Sequence, residues 1–380
     1  MKVRYGFLDG MRAIVCLFVF FGHYFVDFCI KDIFPMNSPV YRVCLLVFYG
    51  CYTVPLFCAA SGFLAFRKEI GKGWQLVLAV LNRFLRFELP LLAVIAAVML
   101  LNRRGMFVYG DLLAEKLSNK QLAGNYSFDS HYTWLFRKAF WDLHIYDNPL
   151  WMTGSLFAGN IALYGFRYVQ ALSRRYLRGR LCPAAQAAVM ILLLVLARND
   201  IPLLATVLGG CYGLARELKD RRDGSRQSKV PGGGGTALNA RPIILFALVL
   251  VLNIWLYFLR DFDFERFPRS YELAGLVTAL ALLHLLFTCR PLRGFLEAKP
   301  LAALGSLSFA IYVIHYPLIG LLSCPMIYAL RDRLAYVPLV LLAFAATSAA
   351  CLLLAFAYKR VIERPCYAAI KKLIAFLGEN

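Results

Sequence analysis

Charge is what this sequence has least of: 17% of its 380 residues are charged, against 61% that are hydrophobic. A soluble domain carries roughly 25% charged and 45–50% apolar residues, so water cannot be the only solvent for this chain. Acidic residues are the scarcer kind, 22 against 42 basic, for a net charge of +20. Long polar stretches are missing too. None between the apolar blocks could hold a core of its own, which excludes a string of soluble domains. The eleven cysteines stand singly, with no Cys-x-x-Cys pair, and the five histidines show no ligand spacing, so no metal site is expected. Cys44, Cys51 and Cys58 recur every seven residues and read as small packing residues on one helix face. No glycine-rich phosphate loop and no serine-centred nucleophile elbow is present, which removes the soluble nucleotide-binding and serine-hydrolase classes.

What is there is apolar length. A block of about 20 apolar residues in a bilayer must satisfy its backbone internally and therefore reads as a helix. Ten blocks qualify: 11–30, 43–66, 84–101, 150–166, 184–197, 201–215, 242–259, 271–289, 303–323 and 337–358. The fifth and sixth are short and separated by Arg198, Asn199 and Asp200, so a re-entrant hairpin is the alternative for that pair. The first follows a charged start, Lys2 and Arg4, like a signal peptide, but it is long enough to span and no cleavage pattern follows it. With the N-terminus inside, the inner segments hold about two thirds of the 42 basic residues and fewer than half of the 22 acidic ones, while the outer segments are nearly balanced. The expected fold class is therefore all-α, a polytopic membrane protein of about ten helices with both termini cytoplasmic. Its basic inner face suits membrane lipids and anionic cytosolic ligands, and nucleic acid is not expected as a partner. Residues 216–241, with Pro231 and four consecutive glycines, read as a flexible inner loop. The long outer loop, 102–149, carries Tyr126, Tyr132, Trp134, Trp141, Asp129, Asp142 and Asp147, which suit either sugar contacts or anchoring at the membrane edge. After Pro365 the tail reads as an amphipathic helix on the inner surface, which divides the chain into a membrane domain, 1–365, and a tail, 366–380.

Ionisable groups inside spans cost several kcal/mol, about 3 or more each, and are functional candidates. Arg12 and His23 stand eleven residues apart in the first span, about three turns, on one face and roughly 16 Å apart along the axis. An imidazole there suits a general base, and a snorkelling arginine or a histidine satisfied by a neighbouring helix is the plainer alternative. Ser308, Tyr312 and His315 are spaced by four and three residues and share a stripe, with Pro317 expected to loosen the helix beside His315. They serve equally as interhelical glue. Arg83 and Arg86, one turn apart at the inner start of the third span, suit phosphate groups or plain topology signalling. Ser61, Gly62 and Phe63 suit close packing of backbones.

Taken together these residues resemble the membrane acyltransferase family 3. LDGMRAIVCLFVFFGH is similar to its first-helix signature, with ten residues between arginine and histidine, and VPLFCAASGFL to its second-helix block. The Arg83–Arg86 segment resembles its basic inner motif, and Asn148, Pro149, Leu150 and Trp151 the start of its fourth helix. LGSLSFAIYVIHYP and IERP resemble the late blocks. One departure stands out: members often carry a glutamate shortly after the tryptophan, where this chain has MTGSLFAG. The resemblance implies transfer of an acyl group, most often acetyl, from cytosolic acyl-CoA to a hydroxyl of a glycan, in a multi-pass protein of the bacterial inner membrane. It implies acyl-CoA as co-substrate, a glycan acceptor, no bound cofactor and no metal. His23 is then the base or transient acyl carrier, Arg12 a stabiliser of developing charge, and Arg83 and Arg86 the grip on CoA phosphates. Ser308, Tyr312, His315 and Trp151 orient or bind the acceptor. A transporter or flippase of a glycan precursor remains the alternative, and oligomeric state is open.

Overall fold

The computed structural model describes residues 5–29, 52–107, 152–177, 179, 181–222, 243–251 and 268–379. Among these the chain is helical, without a strand. Helix α1 (Gly6–Phe21) widens into a π-helical stretch (Gly22–Cys29), and α2 (Thr53–Phe66), α3 (Gly73–Arg103), α4 (Met152–Tyr176), α5 (Leu181–Ala197) and α6 (Ile201–Arg222) follow. Helix α7 covers 243–251. After it come α8 (Pro268–Thr288), α9 (Arg290–Leu296), α10 (Lys299–Gly305), α11 (Ser308–Leu318), a π turn (Ile319–Ser323), α12 (Cys324–Leu330), α13 (Tyr336–Tyr358), a second π turn (Lys359–Glu363) and α14 (Arg364–Glu379). The aromatic outer-loop residues, the glycine run of the 216–241 loop, Cys44 and Cys51 lie outside the described residues.

Among the described residues four helical stretches are long and apolar enough to cross a membrane: Gly6–Phe25, Gly73–Arg103, Ser308–Leu330 and Tyr336–Gly378. A fifth, Glu272–Thr288 with Arg290–Leu296, is bent by 93°, and Thr53–Phe66 and Leu181–Ala197 are shorter apolar helices. Their outward faces are apolar, with Ile191, Leu192 and Leu196 on α5 and Leu352, Leu353 and Phe356 on α13 all exposed. Water would penalise each of them, and lipid does not. The protein is a multi-pass integral membrane protein.

Several boundaries differ from the sequence reading for local reasons. Helix α3 starts eleven residues earlier than expected, because the Gln75 side chain accepts from the Gly71 and Lys72 amides (2.9 and 3.2 Å) and ties down its first turn. The ninth expected span breaks after Gly305, so Ser308 opens a helix instead of sitting inside one. Asp200 caps α6 by accepting from the Leu203 amide at 2.9 Å, with Pro202 in the first turn where its missing N–H costs nothing.

The helices form two compact units. The first comprises Met1–Val15, Gly50–Leu81 and Ser155–Gly305. In it α2 and α6 meet backbone to backbone. A Cβ on Gly62 would lie 1.9 Å from the Thr206 carbonyl oxygen, and one on Gly209 1.9 Å from that of Ala59. Small residues are what allow membrane helices to approach this closely. The start of α1 is seated in the same way, Gly10 against the Leu296 carbonyl and Gly305 against the Asp9 carbonyl. Phe7, Phe63 and Phe287 fill the space beside them, with ring pairs 4.6–5.1 Å apart.

The second unit comprises Cys16–Tyr49, Asn82–Gly154 and Ser306–Asn380. Phe344 of α13 is its hub, with the rings of Phe20, Phe21, Tyr24 and Phe25 all within 5.6 Å. The Tyr24 hydroxyl donates to the Val340 carbonyl (3.0 Å), and the Tyr358 hydroxyl to that of Pro90 (2.6 Å), tying α3 to α13. Each hydroxyl is buried with its hydrogen bond made, as a membrane interior requires.

Candidate functional site

The second unit gathers most of the residues singled out by sequence. His23 lies in the π-helical stretch, and its ring centroid is 5.5 Å from that of His315, with the planes tilted by 31°. Tyr316 meets His23 edge-on at 5.4 Å, and Phe20 meets His315 edge-on at 5.5 Å. His315 is 1% exposed, while His23 is half-buried. The Nδ1 of His315 approaches the carbonyls of Tyr312 (2.8 Å) and Ile311 (3.1 Å). A carbonyl can only accept, so Nδ1 carries the proton and Nε2 is left as a lone pair. That Nε2 is buried and has no hydrogen-bond partner among the described residues. Helix α11 thus holds one imidazole in a fixed tautomer, with its basic nitrogen available beside a second imidazole.

Ser308 and Tyr312 share the stripe of α11 with His315. Ser308 is buried, and its carbonyl accepts from the Cys16 thiol at 3.3 Å, which joins the second half of α1 to the start of α11. Tyr312 is half-buried, its ring centroid 6.1 Å from that of His315.

The other end of α11 is cationic. Phe309 packs edge-on against Phe87 at 5.7 Å, and Phe87 lies under the Arg83 guanidinium at 5.2 Å. Arg86 sits over the Tyr367 ring at 5.2 Å. Tyr367 is hydrogen-bonded to Glu363 of the IERP block, and Lys359 donates to the Ser306 carbonyl at 2.6 Å. Two blocks some 280 residues apart in sequence, RFLR and IERP, are therefore neighbours at the start of α11. From Phe309 to His315 is six residues, about 9 Å of helix. The unit carries a cluster of cations at one level and a histidine pair about two turns further on.

Arg12 belongs to the first unit, where its guanidinium is ion-paired with Asp9. The sequence reading missed Asp9, although a carboxylate three residues before an arginine on a helix is a legible pairing signal. It also missed Lys359 and Tyr367, which carried no mark beyond their nearness to IERP. Trp151 lies outside the described residues. Where the family's glutamate is missing, Ser155 donates to the carboxylate of Asp200 (2.5 Å), the cap of α6. Ser61 and Asn160 pair at 3.3 Å across α2 and α4, an interhelical contact. Among the described residues no three His, Cys, Asp or Glu side chains gather as metal ligands.

A comparison with curated proteins gave no match, and neither did one with solved structures. A family model described as an acyltransferase domain matches residues 5–356. That match takes in α1, the π-helical stretch with His23, the basic segment of α3 and the Ser-Tyr-His stripe of α11, and by it the chain belongs to the acyltransferase family 3.

Proposed function

We propose that the protein transfers an acyl group, acetyl in the simplest case, from cytosolic acyl-CoA to a hydroxyl of a cell-surface or lipid-linked glycan, within a bacterial inner membrane. The observation that carries this reading is the imidazole pair, His23 beside a tautomer-locked His315, two turns from the Arg83, Arg86 and Lys359 cations. CoA offers phosphates on one end and a thioester on a long arm at the other, and the unit offers cations and a base in the same order. His23 takes the proton of the acceptor hydroxyl, the oxygen attacks the thioester carbonyl carbon, and the C–S bond breaks to release CoA thiolate, which is then protonated. Should the imidazole itself attack, the same proton count holds with the acyl group resting on His23 in between. His315 can only accept at Nε2, and so orients the acceptor hydroxyl or the His23 ring. Ser308 and Tyr312 line the approach. Arg12, held by Asp9, keeps the charge-stabilising role that the resemblance gives it.

Ten spans with both termini cytoplasmic supply the path this reaction needs. Impermeant thiol labelling of single cysteines placed in the 216–241 loop tests that topology, and labelling from outside intact cells would remove it. The decisive experiment is His23→Ala in purified, folded protein, scored both as CoA thiol released and as glycan modified. Loss of both is expected. Near wild-type turnover refutes the mechanism, and glycan movement with no thiol release identifies a transporter.

A further inference from the structure

A second basic feature lies in the first unit, apart from the residues assigned above. A cleft of about 670 Å³ opens between the loop after α2, the second half of α4 and the end of α6. Its charged lining is Arg67, Arg167, Arg174 and Arg221 with Glu69 and Glu217. Four guanidiniums face two carboxylates, which leaves an excess of about two positive charges. The arrangement is built rather than incidental. Glu217 accepts from Arg167 (2.8 Å), Arg174 (3.3 Å) and Arg221 (2.6 Å). Arg167 is fixed further by the Lys68 carbonyl (3.3 Å) and by the Phe66 ring, 4.7 Å from its guanidinium carbon. One carboxylate cannot neutralise three guanidiniums. Burial alone would raise the Glu217 carboxyl, yet Arg167, Arg221 and Arg174 outweigh it and hold the group below its ordinary value. All three walls come from segments that the basic-residue bias assigns to the inner side.

We infer that this cleft binds a phosphate group, presented either by a soluble nucleotide-type ligand or by an anionic lipid headgroup. Its volume lies within the roughly 300–1,000 Å³ of small-molecule sites, and its rigid, forked donors match phosphate oxygens in a way lysines would not. Arg174 and Arg221 are 38% and 54% exposed, so each keeps donors for a ligand while touching Glu217.

The test uses the full chain purified in neutral detergent, with R174Q/R221Q as the variant and Arg83→Ala as the control. One arm titrates adenosine 3′,5′-bisphosphate by calorimetry. The other measures thermal stabilisation in nanodiscs of phosphatidylcholine with and without phosphatidic acid. Binding in one arm is expected to weaken at least tenfold in R174Q/R221Q, to fall with added salt and to survive Arg83→Ala. The soluble arm responding identifies a nucleotide-type ligand, and the nanodisc arm a headgroup. Binding untouched by R174Q/R221Q, binding lost only on Arg83→Ala, or no binding in either arm overturns the inference. If R174Q/R221Q fails to fold, Arg67→Gln, outside the Glu217 network, must show the same weakening. Because Arg83→Ala tests the donor site separately, failure here leaves the acyltransferase reading standing.

Discussion

Replacing Gly62 with alanine tests whether the α2–α6 contact is as close as it must be. The added Cβ would stand 1.9 Å from the Thr206 carbonyl oxygen, a backbone atom that no rotamer change can move. Restoring an ordinary contact of about 3.4 Å requires the helices to part by roughly 1.5 Å. A gap of 0.5–1 Å already forfeits about a quarter to a half of each dispersion contact, at ~0.1–0.2 kcal/mol per atom pair. Across the few tens of atom pairs of such an interface the loss is about 3 kcal/mol, the upper part of the range for overpacked cores. In lipid this matters more than in water, because packing is much of what holds two apolar helices together. Gly209→Ala should do the same from the other side, since its Cβ meets the Ala59 carbonyl at 1.9 Å. Gly165 of α4 and Gly294 of α9 have nothing within 4 Å of a built Cβ, so alanine there should be neutral or should stabilise by up to about 1 kcal/mol. The assay is thermal unfolding in detergent, followed by monodispersity on size exclusion. A loss of roughly 5–10 °C is expected for Gly62→Ala and Gly209→Ala. If either matches wild type to within a degree while Gly165→Ala does too, the helices do not touch as described.

Three further outcomes follow from the site. Arg86→Ala should raise the acyl-CoA concentration needed for half-maximal turnover about ten- to a hundredfold, with lysine restoring only part, whereas Tyr367→Phe, which keeps the ring under Arg86, should change it little; unchanged acyl-CoA dependence in folded Arg86→Ala removes the cation from the site. His315→Asn can still donate to the carbonyls of α11 but lacks Nε2, so it should fold normally and lose roughly ten- to a hundredfold in turnover, less than His23→Ala, and full activity would reduce His315 to packing. The Glu217 carboxyl is held below its unfolded value, so its stabilising contribution is present above the ordinary glutamate range and is lost as pH falls through the depressed folded value; melting temperature should show an acid-side decline that Glu217→Gln flattens, and identical pH profiles would mean the arginines do not favour the charged form.

Much of this was legible because a bilayer leaves few choices. The α3 core, the helix centred on residues 337–358 and the two helices on either side of Asp200 follow from apolar length, and Gly62 was legible as a residue that suits close approach of backbones. The candidate site was legible in pieces. Spacing gave the stripe of Ser308, Tyr312 and His315 but could not show that Nδ1 is committed to the backbone, which depends on one rotamer. Nor could it show that RFLR and IERP meet, because Arg83 and Arg86 read equally as topology charges and nothing local distinguishes a cation facing Tyr367 from one facing lipid headgroups. The unit 1 cleft was invisible for the same reason: its arginines come from the loop after α2, from α4 and from α6, and only the packing of α4 beside α6 brings Arg167, Arg174 and Arg221 to one carboxylate.

Helix irregularity shows most clearly where sequence reasoning went astray and how it can be repaired. Pro317 was expected to loosen the helix beside His315, yet α11 runs through it as α-helix to Leu318, and the widening occurs at Ile319–Ser323. The proline responsible is the next one. In an α-helix a proline lacks the N–H for the carbonyl four residues back and its ring clashes with that carbonyl. For Pro325 that carbonyl belongs to Leu321, inside the π turn, and for Pro365 it belongs to Val361, inside the π turn at Lys359–Glu363. Adding a residue to the turn relieves the clash without ending the helix, which is why α13 runs on into α14 past Pro365. The stretch at Gly22–Cys29 has no proline in the two positions that follow it and opens instead on a glycine, directly before His23. The three π segments among the described residues thus coincide with, or adjoin, His23, the His315 block and IERP, the places where the unit's chemistry is assigned. A widened turn rotates every later side chain relative to a regular helix, so face assignments made by counting residues hold only up to that turn.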